Sequence, residues 1–189
     1  MILMGCLNCG RCCTSFGVCI TPNDLKRICT ATKLQASDIA TLTPADPERE
    51  REEPSILIDG VPMLLILKWK KAHDCIFYSR NERSTAGCSI YSVRPMLCRT
   101  YPFRLRWGRL HSFVSGSESR VPSSEACVLF VDVKSRVCPR LWPAEDSYLP
   151  DLKKYEAELA YYCALAAKWN SLENTKRKRT FEEFLNFVL

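Results

Sequence analysis

The apolar positions of this chain change period along its length, and each period predicts a different element. From Pro150 to about Asn170, Leu152, Tyr155, Leu159, Tyr162, Ala166 and Trp169 follow one helical face. In "SILIDGVPMLLILKW" (55–69) the apolar residues run almost continuously on either side of Asp59-Gly60, a favoured hairpin dipeptide, which predicts two strands joined at that turn. Polar signals mark the remaining elements. Thr21 offers an N-cap, Pro22 suits the first helical position and Asp24 adds an early acid, so "TPNDLKRICTATKL" should open a short helix. Ser37-Asp38 can begin another helical turn, and "TPADPEREREEP" (43–54) reads as an exposed, charged loop. A second hairpin is expected in "FRLRWGRLHSFV", turning near Gly108. Thr180 and Glu183 form a capping box ahead of a last helix through "FLNFVL". The sum is an α+β fold: a single small domain over 1–189, with a cysteine-rich loop core, short antiparallel hairpins and C-terminal helices.

Cysteine changes this picture, because there are twelve in 189 residues and four lie in "CLNCGRCC" at 6–13. A chain of this length buries enough apolar surface to fold without disulfide staples. Five residues precede the first cysteine, too few for a secretory leader, and the longest apolar stretch, Val61 to Leu67, is far below the ~20 residues of a membrane span. The chain therefore reads as cytoplasmic, with no membrane partner. In a reducing compartment so many thiols favour metal over disulfides.

Cys6, Cys9 and Cys12 stand at Cys-x2-Cys-x2-Cys spacing, which lets one tight loop turn its sulfurs toward a common centre. Gly10 eases that loop by accepting backbone conformations closed to other residues. Three such thiolates with a remote Cys-Pro, here Cys138-Pro139, follow the ligand logic of bacterial ferredoxins, and the same four sulfurs suit tetrahedral zinc. Adjacent side chains tend to point apart, so Cys13 is expected to face a second centre with Cys75, Cys88 and Cys98. Other partitions of these eight cysteines are compatible with the spacing, and Cys19 or Cys127 could replace a member. Cys29 and Cys163 fall in predicted helices and read as small core residues. With only His73 and His111 present, histidine-rich zinc chemistry is disfavoured.

The run Cys6-Leu7-Asn8-Cys9-Gly10-Arg11-Cys12-Cys13, together with "CSIYSVRPMLCRTYPF" at 88–103, resembles the CxxCxxCC cysteine-cluster family, described as a zinc- or iron-chelating domain. The Arg94-Pro95 and Cys98-Arg99 pairs and Pro102-Phe103 all fit, and the resemblance spans roughly residues 6 to 140. It implies an iron–sulfur cluster, with the four-iron type favoured, or zinc, held by Cys6, Cys9, Cys12, Cys13, Cys75, Cys88, Cys98 and Cys138. It implies no particular reaction. The flagellin lysine methylase is a relative with a cysteine cluster, so a cluster-dependent enzyme acting on a protein side chain is the alternative.

Charge points to the same region. The chain carries a net charge of +6, and between Arg83 and Ser117 there are six arginines and no acid. Guanidinium groups of Arg94 and Arg99 could offset the negative charge of a thiolate-bound metal. Ser92 could cap a short turn before Pro95, setting Cys98 and Arg99 beside Cys88. A zinc-stabilised nucleic-acid binder is a further reading, because the basic residues alternate with Tyr101, Phe103 and Trp107, but it ranks below cluster support or plain surface. "KRKR" at 176–179 reads as a solvated linker before it reads as a nucleic-acid contact. No phosphate-binding glycine loop, His-Glu-x-x-His or nucleophile elbow occurs, so an enzyme here would have to work through its metal, and a protein partner is left open.

Overall fold

The computed structural model describes residues 10–46, 53–70, 74–80, 86–101, 149–172 and 179–189. The hairpin expected near Gly108, residues 47–52 of the charged loop, His73, His111, Cys6, Cys9, Cys127 and Cys138 lie outside these residues.

The first helix, α1 (Pro22–Thr32), starts where the sequence says it should. Thr21 is its N-cap and forms a capping box with Asp24: the Asp24 N–H donates to Thr21 Oγ1 at 3.0 Å and the Thr21 N–H donates to Asp24 Oδ2 at 3.0 Å. One more turn, α2 (Ala36–Ile39), leads directly into a strand, β1 (Ala40–Pro44), whose last two residues fall in the stretch expected to be loop. The hairpin follows as β2 (Ile56–Ile58) and β3 (Val61–Leu67). Asp59 and Gly60 both take positive φ, 48° and 79°, as a two-residue type I′ connection requires.

These strands form an antiparallel sheet in the order β1-β3-β2, with Ala40 opposite Leu67 and Ile56 opposite Met63. Leu64, Leu65, Ile66 and Leu67 are all buried, so β3 is the spine of the core. Pro62 sits in this central strand without cost. Its carbonyl accepts from the Ala45 N–H, on the side where β1 has already ended, so the missing N–H breaks no ladder bond. A second, two-stranded sheet pairs β4 (Tyr78–Arg80) with β5 (Ala86–Cys88).

After it come the 3-10 turn Tyr91–Val93 and the short helix α3 (Met96–Thr100). Ser92 lies inside that turn and is not its N-cap, which is Ile90. The long helix α4 (Leu149–Ser171) buries all six residues of the expected stripe, and its end closes the sheet edge. There Trp169 Nε1 donates to the Leu57 carbonyl at 2.9 Å, and Asn170 Oδ1 accepts from the Leu57 N–H at 2.8 Å, so β2 presents no open edge here.

Helix α5 (Phe181–Val188) has the Thr180–Glu183 capping box and buries Phe184, Leu185 and Val188. Arg179 departs from the reading of "KRKR" as a solvated run. Its guanidinium lies 4.5 Å from the centre of the Trp169 ring and donates to the Trp169 carbonyl, which makes it an internal strut. One cluster of buried side chains runs from Val18 to Val188 through both sheets and α1 to α5. No helix among the described residues is long and apolar enough to cross a membrane.

Candidate metal centre

The site is assembled on the continuation of β3. Beyond Leu67, the Ile76 N–H donates to the Lys68 carbonyl and the Lys70 N–H to the Asp74 carbonyl, which sets Trp69 opposite Cys75. On the strand itself, Val18 and Ile20 hydrogen-bond to Leu67 and Leu65, placing Cys19 opposite Ile66. The end of the cysteine run and the "HDCIFY" segment are thus laid along one rail. A bond of 2.8 Å from the Cys75 N–H to the Cys13 carbonyl ties them directly to each other.

Cys88 arrives on β5, paired with Tyr78, and Cys98 arrives on α3. The placement of α3 depends on a buried ionic network. The Met96 N–H donates to Asp24 Oδ1 at 2.8 Å, and Asp24 pairs with Arg27. Arg27 in turn pairs with Glu158 at 3.0 Å, while Glu158 Oε2 accepts from Thr21 Oγ1 at 3.1 Å. Asp24 is fully buried, and Glu158 nearly so. Helix α1 and helix α4 together therefore hold the turn from which Cys98 projects.

Five thiols from three stretches of chain meet here, those of Cys12, Cys13, Cys75, Cys88 and Cys98, and they act on one another electrically. Burial pushes Cys75 up to about 11, with the charges of Cys88 and Cys12 adding to it. Cys98 is driven well above an ordinary thiol, first by burial and then by Cys12, Cys75 and Cys88. Cys13 is raised by its hydrogen bond to Cys12, then by burial and by the charges of Cys12, Cys75 and Cys98. Cys12 moves the other way, down to about 7, because the Cys13 thiol hydrogen-bonds to it, helped by its own backbone N–H and the Arg94 charge. The pair behaves as one acceptor and one donor.

This geometry departs from the expectation that Cys12 and Cys13 face apart. That rule holds for an extended chain, where successive side chains alternate. Here the residues open a 3-10 turn, Cys12–Thr14, closed by the Cys13 N–H on the Gly10 carbonyl, and both thiols reach the same neighbours. Gly10 does adopt the left-handed conformation, φ 73°, that its place in the run suggests.

The arginines divide. Arg94 places its charge near Cys12 and its guanidinium 4.2 Å from the centre of the Tyr91 ring. Arg99 differs from the expectation that it serves the thiols. Its fork is engaged by Asp151 of α4, with Nη2 at 3.0 Å and 3.3 Å from the two carboxylate oxygens. Cys29 and Cys163 are half-buried on α1 and α4, and Cys19 lies instead beside Tyr155, Tyr162 and Glu53. The eight described cysteines carry thiols and no disulfide.

The donor set fits a thiophilic cation. Thiols crowded in a desolvated pocket, with one poised to ionise near neutrality, raise each other's cost of ionisation; a divalent or iron-based cation reverses the sign of that interaction. Among the described residues no three Cys, His, Asp or Glu side chains already close on a metal position. Sequence reasoning found the thiols but not the aromatic residues against the loop, Trp69 and Tyr78, nor the Asp24–Arg27–Glu158 network. Gly17, which follows the run, was the one available signal for Trp69.

No curated protein and no solved structure matches the chain. A family model does, over residues 5–139, from just before the first cysteine through Cys138-Pro139. With the cysteine run at one end of that span and the thiol neighbourhood inside it, the chain belongs to the CxxCxxCC family, described as a putative zinc- or iron-chelating domain.

Proposed function

We propose that this chain is a one-domain metal carrier or redox module whose single, thiolate-rich centre is built from Cys12, Cys13, Cys75, Cys88 and Cys98 and completed by Cys6, Cys9 and Cys138. The observation that carries this reading is that thiols from three separate stretches of chain lie close enough for Cys12, Cys75 and Cys88 to act on the buried Cys98, and Cys12 and Cys88 on Cys75. Thiols gathered at that density exceed what one tetrahedral zinc takes, which is four. A polynuclear centre is therefore favoured, and an iron–sulfur cluster ahead of zinc because Cys-x2-Cys-x2-Cys with a remote Cys-Pro is its ligand logic. Within the centre this chain's residues supply the anionic sulfurs, and Arg94 supplies a compensating positive charge beside Cys12.

The test is anaerobic isolation of the full chain followed by iron, zinc and acid-labile sulfide analysis with a visible spectrum. Iron with sulfide in near-equal amounts and broad absorption around the visible is the expected result. A colourless protein with whole-number zinc would replace the cluster by zinc and keep the thiolate centre. Neither metal at stoichiometric level would overturn the reading.

A further inference from the structure

The loop that carries Cys12 and Cys13 is bracketed by two glycines, and each lies against an aromatic ring from the 69–78 segment. At Gly10 a β-carbon would stand 2.1 Å from Tyr78 Cε2, against the edge of the ring. At Gly17, whose φ lies outside the left-handed range, it would stand 2.5 Å from Trp69 Cζ2 and 3.3 Å from Cε2. Real β-carbons do not come so close, so both glycines are required by contact, and Gly10 by φ as well. Beyond these rings the loop is held by the Cys75 N–H bond to the Cys13 carbonyl and by the Phe16 ring, 5.5 Å from that of Tyr101. Between Gly10 and Gly17 no side chain is buried; Cys13 and Phe16 are only partly covered. The rings come from the same segment that carries Cys75, and Tyr78 is also the strand partner of Cys88. Tyr78 is 6 % exposed and so is hemmed in, whereas Trp69, at 40 %, leaves part of a large ring in water beside Gly17.

We propose that Tyr78 and Trp69 are positioning residues of the metal centre, a two-ring clamp that fixes the height of the Cys12–Cys13 turn over Cys75 and Cys88. This rests on the thiolate-centre reading above. The clamp works through backbone contact: a flat ring against a glycine allows closer approach than any side-chain pair, and the Cys75 N–H bond to the Cys13 carbonyl sets the remaining direction.

Cobalt(II) titration of the reduced, full-length chain tests it, because the sulfur-to-cobalt charge-transfer band reports ligand placement separately from fold. Tyr78→Phe keeps the ring and should keep the wild-type band and affinity. Tyr78→Leu should weaken cobalt binding by about tenfold or more and alter the band, as loss of a supporting contact does. Phe184→Leu, a similar loss in the core of α5, is the control and should lower thermal stability with the band unchanged.

A second arm does not need Tyr78→Leu to fold. Gly17→Ala should weaken binding by clashing with Trp69, and adding Trp69→Leu should return affinity to that of Trp69→Leu alone, whereas independent effects would multiply to within about twofold. Multiplying effects, or a Tyr78→Leu protein that keeps the wild-type band, would overturn the clamp. A wild-type chain that binds no cobalt would instead overturn the thiolate centre on which it rests.

Discussion

Two clusters of buried ionisable groups lie on either side of α3, and they are balanced in opposite ways. In the Asp24–Arg27–Glu158 network opposite charges meet: two carboxylates share one guanidinium, and the Thr21 hydroxyl and two backbone N–H groups take up further lone pairs. In the thiol pocket like meets like. Burial and neighbouring thiols raise Cys75, Cys98 and Cys13, with Cys12 acting on all three, while Arg94 acts on Cys12 and Lys70 on Cys75 in the opposite sense. The first arrangement is closed and makes a scaffold. The second calls for a cation, and the scaffold aims it, since the Met96 N–H on Asp24 sets the start of the helix that carries Cys98.

The largest expected effect singles out the thiol pocket by removing one thiol inside it and one outside it. Cys75→Ala takes a nearly buried ligand from the pocket and should abolish stoichiometric metal. It should also lose the stabilisation that bound metal confers, about 4 kcal/mol where free metal stands a thousandfold above its dissociation constant. Cys29→Ala, on α1 outside the pocket, should keep full metal and lose less than about 1 kcal/mol. Metal analysis beside denaturant unfolding reads both. Equal metal retention in the two variants would erase the distinction.

Those two clusters were not equally legible in the sequence, and the reason is separation along the chain. Caps, the α4 stripe and the Asp59-Gly60 turn are set by residues within four positions of each other, so the pattern shows them directly. The thiols were visible because cysteine is rare and its spacing is chemical. Their side-by-side arrangement was not, since it depends on the backbone of one 3-10 turn. Strands β1 and β5, "ATLTP" and "AGC", are too short for their own residues to announce a strand, and they exist because β3 and β4 offer them partners. The Thr21–Glu158 bond spans 137 positions, and only the packing of α1 on α4 brings its ends together.

A middle-sized effect concerns pH and sharpens the closed cluster. Burial pushes the Asp24 carboxyl up to about 6 against the pull of the Thr21 N–H, Arg27 and the Met96 N–H, with Glu158 of α4 adding to the rise. An acid whose folded value exceeds its unfolded value, about 3.9, binds more protons when folded between the two. Its contribution is therefore complete below about pH 4 and is lost as pH rises through about 6. At equal metal loading, the stability of the wild type relative to Asp24→Asn should fall by on the order of 2 kcal/mol from pH 4.5 to pH 7.5. Urea unfolding across that range measures it, and a flat or rising difference would mean that the hydrogen bonds, rather than burial, govern this carboxyl.

The smallest effect tests where Arg99 belongs. The family motif puts it beside Cys98, yet its fork lies on Asp151, with about a third of each side chain exposed. An ion pair so open to water is screened and contributes less than about 1 kcal/mol. Arg99→Lys keeps the charge and loses the two-pronged geometry, so it should cost a few tenths of a kcal/mol, on the order of one surface contact, through looser docking of α3 on α4. Metal content should stay at the wild-type level, as it should in Asp151→Asn, and the double variant should cost no more than either single one. Arg94→Lys is the counterpart on the thiol side, because the Arg94 charge reaches Cys12. A loss of metal in Arg99→Lys with metal kept in Arg94→Lys would exchange the roles of the two arginines and make Arg99 part of the centre instead of its scaffold.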